Sequence, residues 1–335
     1  MKIFSELNAK ENEKALAIHS EAIIIDGSNP SLWTDQYIQK MLNAGVTAAV
    51  PALGGRNFSE AVRSMYEWYL KFDSNPNKLL LATSAQNIRQ AKKEEKHAII
   101  FGFHSGDIIE DDIHLLSIFH RLGLRILQFA ANRATILGDG VVELRNAGLS
   151  DLGFEAVKEM NALGILIDLS HCGIATSMET IEASKDPVVF SHSNVRSIVD
   201  NPRNKTDEQI KALAEKGGVM GVLFSSSFLS TKLPEKQTLG DLLNHIDYIV
   251  NLVGADHIGL GSDFSEGRDL SHMRKIVDRE GKKIWPWAGI KPKDIDTVSK
   301  LPNITKGLVA RGYSDQEIKK ILGGNFLRVY ERVWK

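Results

Sequence analysis

Short apolar runs recur along the chain, and most of them end in a group of polar residues. The run Ile165–Leu169 is typical, because its near-continuous apolar character is that of a strand buried on both faces of a parallel sheet. Eight runs of this kind predict strands: Ala22–Asp26, Thr47–Ala52, Ala98–Phe103, Arg125–Ala130, Leu166–Ser170, Pro187–His192, Val219–Phe224 and His257–Asp263.

The segments between these runs carry apolar residues at spacings of three and four, which indicates helices. Examples are Ser59–Phe72, Asp111–Leu122, Phe154–Leu163, Asp207–Glu215 and Leu239–Val253. Alternating strands and helices predict parallel pairing through right-handed crossovers, and eight such units close a (β/α)8 TIM barrel. An open doubly wound sheet fits less well, because no G-x-G-x-x-G follows the first run. We therefore expect one α/β domain over residues 1–335, with helices from about Lys291 onward.

The composition favours a small molecule as the partner. The 335 residues include 41 Lys+Arg against 42 Asp+Glu, so no net field favours nucleic acid or an anionic membrane surface. The sequence shows neither a secretory signal pattern nor an apolar run of about 18 residues, so we expect a cytoplasmic protein. The single cysteine, Cys172, excludes an internal disulfide and fits a reducing compartment.

Side chains that can bind a metal stand where several of the predicted strands end. His104 lies in G-F-H-S, His171 in L-S-H-C-G, His192 in F-S-H-S and Asp263 in L-G-S-D-F. In a (β/α)8 barrel the carboxyl ends of the strands form the rim of the active site. A single histidine there is more often a hydrogen-bonded structural residue than a ligand. Four such side chains on one rim are difficult to explain by packing alone.

His171 and His192 end neighbouring strands, which lie about 4.8 Å apart, so both imidazoles can reach one ion. His104 would add a third nitrogen from across the mouth of the barrel. Three imidazoles with an open fourth position are the ligand set of a catalytic zinc ion, which acidifies a water and polarises a carbonyl. Asp263 would orient or deprotonate the water, or hold a substrate ammonium group. Asp263 and His104 are therefore the candidate catalytic residues.

Two further residues are candidates for substrate binding, together with Asp263. Arg203 lies in the loop D-N-P-R-N-K-T-D-E, before a helix that Thr206 or Asp207 would cap. A guanidinium above the barrel suits bidentate recognition of a carboxylate, and a solvated surface arginine is the alternative. Asn132, in F-A-A-N-R after the fourth predicted strand, would contribute an amide to the same rim.

The motifs L-I-D-L-S-H, F-S-H-S, P-R-N-K-T-D-E and H-I-G-L-G-S-D-F, in this order and spacing, resemble the membrane (renal) dipeptidase family, the M19 peptidases. The resemblance covers essentially the whole chain. It implies a (β/α)8 barrel of the metallo-dependent hydrolase type that binds two zinc ions and hydrolyses dipeptides. It also implies that His171 and His192 bind metal, that Arg203 receives the dipeptide carboxylate, and that Asp263 lies near the substrate amine and the attacking water.

The chain departs from the family pattern at three places. Where the family has D-G-H-N-D on the first strand, with the histidine and the last aspartate binding one zinc ion, this chain has Ser28 and Pro30. His104 replaces the bridging glutamate after the third strand, and Ala131 lies at or near the position of the substrate-facing histidine. Two dications need a carboxylate between them, so we expect one zinc ion at most.

Two hypotheses follow from this set of residues. The first is a dipeptidase-family hydrolase that cleaves a small amide or dipeptide-like substrate with a free carboxylate, at a single zinc ion held by His171, His192 and His104. The second is a metal-free barrel that acts on or binds a small zwitterion, which Arg203 and Asp263 would hold by opposite charges. Dimers are common in the family, so the resemblance allows a homodimer.

Overall fold

One parallel sheet of eleven strands forms the centre of the molecule. The computed structural model describes residues 4–277 and 281–335. The strands are β1 (Ile25–Asp26), β2 (Ala48–Ala49), β3 (Ala52–Leu53), β4 (Leu79–Leu81), β5 (His97–Ile99), β6 (Phe101–Phe103), β7 (Leu124–Gln128), β8 (Leu166–Asp168), β9 (Val189–Ser193), β10 (Val219–Leu223) and β11 (Ile258–Gly261). Each of the eight predicted runs overlaps at least one of them.

The sheet closes on itself. β2 and β3 are parts of one strand interrupted at Val50 and Pro51, where proline has no N–H for the ladder, and β5 and β6 are separated by Ile100. β2 pairs with β5, and β3 pairs with β6. The pairing continues from β6 through β7, β8, β9, β10 and β11 to β1, which pairs with β2. Eight strands therefore form a closed circuit, which confirms the predicted (β/α)8 barrel.

Helices lie between strands along the chain and follow the last strand. They are α1 (Ala9–Glu21), α2 (Asp35–Asn43), α3 (Phe58–Ser74), α4 (Ala85–Lys93), α5 (Leu115–Arg121), α6 (Asp151–Leu163), α7 (Ile174–Ala183), α8 (Asp207–Glu215), α9 (Ser226–Leu229), α10 (Leu239–Val253), α11 (Pro302–Arg311), α12 (Asp315–Lys319) and α13 (Asn325–Val333). Within the described residues, no helix combines the length and the apolar character needed to cross a membrane.

Most helix predictions are confirmed. α8 and α10 have the predicted bounds, and the hydroxyl of Thr206 caps α8. The predicted helix Asp111–Leu122 is too long, because a 3-10 turn at Gly106–Ile109 is followed by Glu110 in a left-handed conformation (φ 53°), and α5 begins only at Leu115.

The sequence pattern does not predict β4. This strand pairs with β5 alone, at the edge of the sheet and outside the closed circuit. Its apolar run L-L-L-A is followed directly by Thr83 and by Ser84, which caps α4. A run of this length shows too little periodicity to separate a strand from the approach to a helix.

Apolar side chains fill the amino end of the barrel interior. The first residues of several strands, such as Leu166, are buried in one cluster with side chains of α13. Phe326 of α13 approaches the strands so closely that a Cβ atom on Gly259 would lie 2.5 Å from its ring. Tyr330 stacks on Trp334 with ring centroids 4.2 Å apart. This apolar floor leaves the carboxyl end of the barrel for the polar side chains.

Candidate active site

Two imidazoles meet at the carboxyl end of the barrel. His171 follows β8 and His192 lies in β9, and these two strands pair in parallel. The Nε2 atoms of the two rings lie 2.9 Å apart, and the ring centroids lie 4.9 Å apart. His192 is buried, with 2% of its surface exposed, and His171 is half-buried. The structure therefore brings together the two histidines that the sequence places on neighbouring strands.

A buried carboxylate fixes the orientation of His192. Asp168, the last residue of β8, accepts hydrogen bonds from the N–H groups of Ser170 and Ser191 (3.0 Å each) and from their hydroxyls (2.6 Å each). Each hydroxyl has one proton and donates it to the carboxylate. Oγ of Ser191 also lies 2.7 Å from Nδ1 of His192, where it can then only accept. His192 therefore carries its proton on Nδ1.

Asn132 fixes the other ring. The amide oxygen of Asn132 is hydrogen-bonded to Nδ1 of His171. Because an amide oxygen can only accept, the proton of His171 also lies on Nδ1. The indole of Trp285 lies nearly parallel to the same imidazole, with ring centroids 6.5 Å apart and 16° between the planes. The predicted substrate residue Asn132 thus lies beside the pair and orients His171.

These tautomers leave a lone pair on Nε2 of each ring, and the two lone pairs face each other across 2.9 Å. Two such electron-pair donors repel each other unless a proton or a metal ion lies between them. Burial, followed by the positive charge of Arg203, holds the pKa of His171 and of His192 well below the ordinary value, which disfavours the proton. Outer partners that fix ring and tautomer are typical of metal-binding histidines. The donor set therefore fits a cation such as zinc.

His104 lies beside the pair and does not complete it. Its ring centroid is 5.4 Å from that of His192 and 6.4 Å from that of His171. Its carbonyl accepts a 2.6 Å hydrogen bond from Gln128, and burial lowers the pKa of its imidazole. Within residues 4–277 and 281–335, no group of three or more His, Cys, Asp or Glu side chains is arranged to hold a metal ion. All three predicted imidazoles therefore lie together at the barrel mouth, and the Nε2 atoms of His171 and His192 are the ones that approach to 2.9 Å.

Arg203 is buried between the ends of β8 and β9, with 1% of its surface exposed. Its Nη1 donates to the carbonyl of Ser170 and, at 2.8 Å, to Oγ of Ser193. Its Nη2 donates to the carbonyl of His192 at 2.7 Å. The guanidinium fork expected to hold a carboxylate is thus bonded to the protein itself, because a buried guanidinium must satisfy its donors. Nε remains buried without a hydrogen-bond partner among the described residues.

A buried lysine and the single cysteine lie next to His171. Lys205 donates hydrogen bonds of 3.1 Å to the carbonyls of Leu169 and Cys172. Burial lowers the pKa of Lys205 to about 7. Burial also raises the pKa of the Cys172 thiol to about 12, so this thiol stays protonated at neutral pH. Cys172 is 1% exposed and lies within the apolar core, as expected of a packing residue.

Asp263 lies next to the end of β1. It follows β11 in a left-handed conformation (φ 51°), and its N–H donates to the carbonyl of Ser28 (2.9 Å). Its carbonyl accepts a 2.7 Å hydrogen bond from Nζ of Lys291. Burial raises the pKa of the Asp263 carboxyl group, while nearby positive charges, that of Lys291 first, act in the opposite direction. The next helical turn begins only at Ser271, so Asp263 does not cap a helix.

The first strand keeps a buried carboxylate beside the positions that depart from the family pattern. Asp26 accepts hydrogen bonds from the N–H (2.8 Å) and the hydroxyl (2.5 Å) of Ser262 and from Nδ2 of Asn29 (3.0 Å). Burial raises the pKa of Asp26 to about 6. Oγ of Ser28 is buried and has no partner among the described residues, and Pro30 has no donor atom in its side chain.

The buried Asp26 predicts a pH dependence of stability. Its pKa of about 6 in the folded protein exceeds the ordinary 3.8, so between these values the folded state binds more protons than the unfolded state. Its contribution to stability therefore decreases with rising pH, by about 1 kcal/mol between pH 5 and pH 7. We expect urea denaturation to show this decrease in the wild type but not in Asp26→Asn. The same pH dependence in both proteins would contradict this expectation.

Sequence reasoning missed the residues that orient the site. Asp168 stands inside the apolar run L-I-D-L, and a charged residue in a buried strand requires partners, which is a signal that could identify it. Ser191 directly precedes His192 but carries no signal of its own. Lys291 is distant along the chain from every motif, so no pattern connects it with Asp263.

The chain matches the family model of the membrane dipeptidases, peptidase family M19, over residues 31–278 and 286–335. It is 30% identical over 291 residues to Dipeptidase tcpJ of Claviceps purpurea (strain 20.1), which covers 84% of this chain and 63% of that protein. It is also 30% identical over 261 residues to Dipeptidase 3 of Rattus norvegicus, which covers 76% of this chain and 48% of that protein. The chain thus spans less than two thirds of the length of these relatives.

The fold is shared with a solved structure of an amidohydrolase from Pseudomonas aeruginosa. The two chains superimpose with a TM-score of 0.89 at 34% sequence identity, over 96% of this chain and 99% of that chain. The family model includes the strand ends that carry His171, His192 and Asp263. This chain therefore belongs to the membrane dipeptidase family, peptidase family M19.

Proposed function

We propose that this protein is a hydrolase that cleaves a small amide or dipeptide-like substrate with a free carboxylate and that uses a single zinc ion. The observation that carries the proposal is the approach of the two Nε2 atoms of His171 and His192 to 2.9 Å, with each Nδ1 hydrogen-bonded to an outer partner. They lie at the carboxyl end of the barrel, where this fold places its chemistry. The dipeptidases and the amidohydrolase to which the chain is similar support an amide as the bond that is cleaved.

His171 and His192 would hold the ion, because their Nδ1 protons are already engaged by outer partners. A bound zinc ion supplies polarisation of the substrate carbonyl and lowers the pKa of a water to about 7. The number of ions would be one, for two reasons. The side chains of Ser28 and Pro30 replace the two metal ligands of the family's first strand, and the imidazole of His104 cannot bridge two dications.

Asp263 and His104 would accept and donate protons at the scissile amide bond. The carboxylate of Asp263 is half-buried and can take a proton from the water and deliver it to the leaving amine. The side chain of His104 makes no hydrogen bond with the described residues, so its ring nitrogens are available to a substrate. Because burial lowers its pKa, His104 would act as a neutral imidazole.

Arg203 and Asn132 would bind the substrate. The buried charge of Arg203 attracts a carboxylate, and its Nε is the donor that has no partner among the described residues. The amide oxygen of Asn132 is bonded to His171, which leaves its Nδ2 group to donate to an oxygen of the substrate. Both contacts would place the scissile amide beside the histidine pair.

Metal analysis together with a substrate panel tests the proposal. Protein purified without added zinc should hold about one equivalent of metal, and His171→Ala should lose it. A panel of dipeptides and N-acyl amino acids should show turnover that a chelator abolishes. Clearly less than one equivalent, unaffected by His171→Ala, would contradict the proposal. Binding of panel members without turnover would instead indicate a metal-free binder of zwitterions.

A further inference from the structure

Asp263 has a backbone conformation that needs support from its neighbours. Its φ of 51° lies in the left-handed region, which is unfavourable for residues other than glycine. Two hydrogen bonds hold this residue, one from its N–H to the carbonyl of Ser28 (2.9 Å) and one from Nζ of Lys291 to its carbonyl (2.7 Å). Of these two partners, only Lys291 brings a charge.

The ammonium of Lys291 is buried, with 8% of the residue surface exposed. Among the described residues its hydrogen-bond acceptor is the carbonyl of Asp263, and its Nζ lies 5.7 Å from the ring centroid of Phe264. Burial lowers the pKa of Lys291, whereas the carboxylates of Asp263, Asp26 and Glu266 favour its charged form. A buried ammonium is costly unless opposite charge lies nearby, and these carboxylates provide that charge.

Lys291 lies on the side of the barrel mouth where the first strand ends. Asp263 connects Lys291 to the end of the first strand, because its N–H donates to the carbonyl of Ser28 and its own carbonyl accepts from Lys291. At this end of the barrel Ser28 and Pro30 provide no side chain that binds a metal well. The ammonium therefore supplies positive charge at the end of the barrel where Ser28 and Pro30 follow the first strand.

We propose that Lys291 is a positioning residue for Asp263. Its ammonium holds the backbone of Asp263 in the left-handed conformation and keeps a fixed positive charge beside the carboxylate that handles the proton. The inference rests on the role of Asp263 in the proposed function. A lysine whose charge did not act on the carboxylate would leave the pKa of Asp263 unchanged when it is replaced.

Three substitutions separate the hydrogen bond from the charge. Lys291→Met removes both, Lys291→Gln keeps a donor without the charge, and Lys291→Arg keeps both. Lys300→Met is the matched control, because Lys300 lies further along the same part of the chain and pairs with Asp296 at the surface (2.8 Å). Urea denaturation identifies the variants that are folded and therefore usable.

NMR titration of protein labelled with 13C at the aspartate carboxyl groups reads out Asp263 without requiring turnover, and Asp263→Asn assigns its resonance. The charged groups that act on this carboxyl are Lys291, His104, Arg203 and Arg268. Because the Lys291 charge opposes the effect of burial, the pKa of Asp263 should rise in Lys291→Met and Lys291→Gln. It should stay unchanged in Lys291→Arg and in the Lys300→Met control. Identical titration of Asp263 in all of these proteins would overturn the inference.

Kinetics provide a second readout once a panel substrate is found. In Lys291→Met, kcat should fall about a hundredfold with a smaller change in KM, as expected when a reacting group is displaced. The acidic limb of the plot of kcat/KM against pH should move to higher pH, and the metal content should stay that of the wild type. Lower stability with an unchanged pH profile would overturn the inference. If the wild type has neither metal nor turnover, the proposed function fails, and the NMR titration still decides the role of Lys291.

Discussion

Replacing His192 with alanine should abolish metal binding and lower kcat/KM for a dipeptide by about three orders of magnitude. The imidazole supplies one of the two opposed Nε2 atoms, so its loss leaves a single nitrogen donor in the pair. The Lewis-acid contribution of a bound metal is worth several kcal/mol, and each 1.4 kcal/mol corresponds to about a tenfold change in rate. Elemental analysis measures the first effect, and steady-state kinetics measure the second.

His257→Ala is the matched control for this substitution. His257 directly precedes β11 at the amino end of the barrel, and its Nδ1 is hydrogen-bonded to the carbonyl of Gly218 (3.0 Å). This replacement should leave both the metal content and kcat/KM nearly unchanged. A His192→Ala protein that retained its metal and its activity would show that the histidine pair is not the catalytic centre.

Asp168→Ala should lower the free energy of unfolding by about 3–5 kcal/mol. Asp168 is 2% exposed and its carboxylate accepts four hydrogen bonds from Ser170 and Ser191, so its removal leaves four donors without their acceptor. Ser191→Ala should cost less, about 1 kcal/mol, because it removes a single hydroxyl from the same network. Urea denaturation at neutral pH measures both changes.

Asp200→Ala is the matched control for Asp168→Ala, because it removes a carboxylate that lies at the surface. Asp200 pairs with Arg196 at 2.9 Å, and 76% of its side chain is exposed. An exposed pair of this kind contributes little, so the free energy of unfolding should change by less than about 1 kcal/mol. Equal losses in Asp168→Ala and Asp200→Ala would mean that the buried hydrogen bonds of Asp168 do not stabilise the fold.

The barrel could be predicted from the chain because its strands are short apolar runs that need burial on both faces. That pattern is set by the order of residues within each run, so it can be recognised without knowledge of the neighbours of each strand. The interruption at Val50 and Pro51 is visible in the run Thr47–Ala52, where a proline cannot join the ladder. The edge strand β4 could not be predicted, because its pairing with β5 is set by tertiary contacts.

The position of the histidine pair could be predicted because parallel topology places the ends of neighbouring strands together. The buried position of the Arg203 guanidinium could not be predicted, because it depends on how the loop after β9 folds. Backbone hydrogen bonds of 2.8 Å from Lys205 to Asn194 and from Arg196 to Lys205 close this loop. The closed loop brings the guanidinium down among the strand ends instead of leaving it above them, a result that no local pattern encodes.

The packing of α13 has a consequence for biosynthesis. Phe326 and Tyr330 are fully buried in one cluster with residues that begin the strands, and those strands are translated much earlier. While α13 of a nascent polypeptide is still inside the ribosomal tunnel, strands that have already left the tunnel lack the two aromatic rings as packing partners. Such a polypeptide exposes apolar surface that invites aggregation, so chaperone protection matters most until α13 emerges.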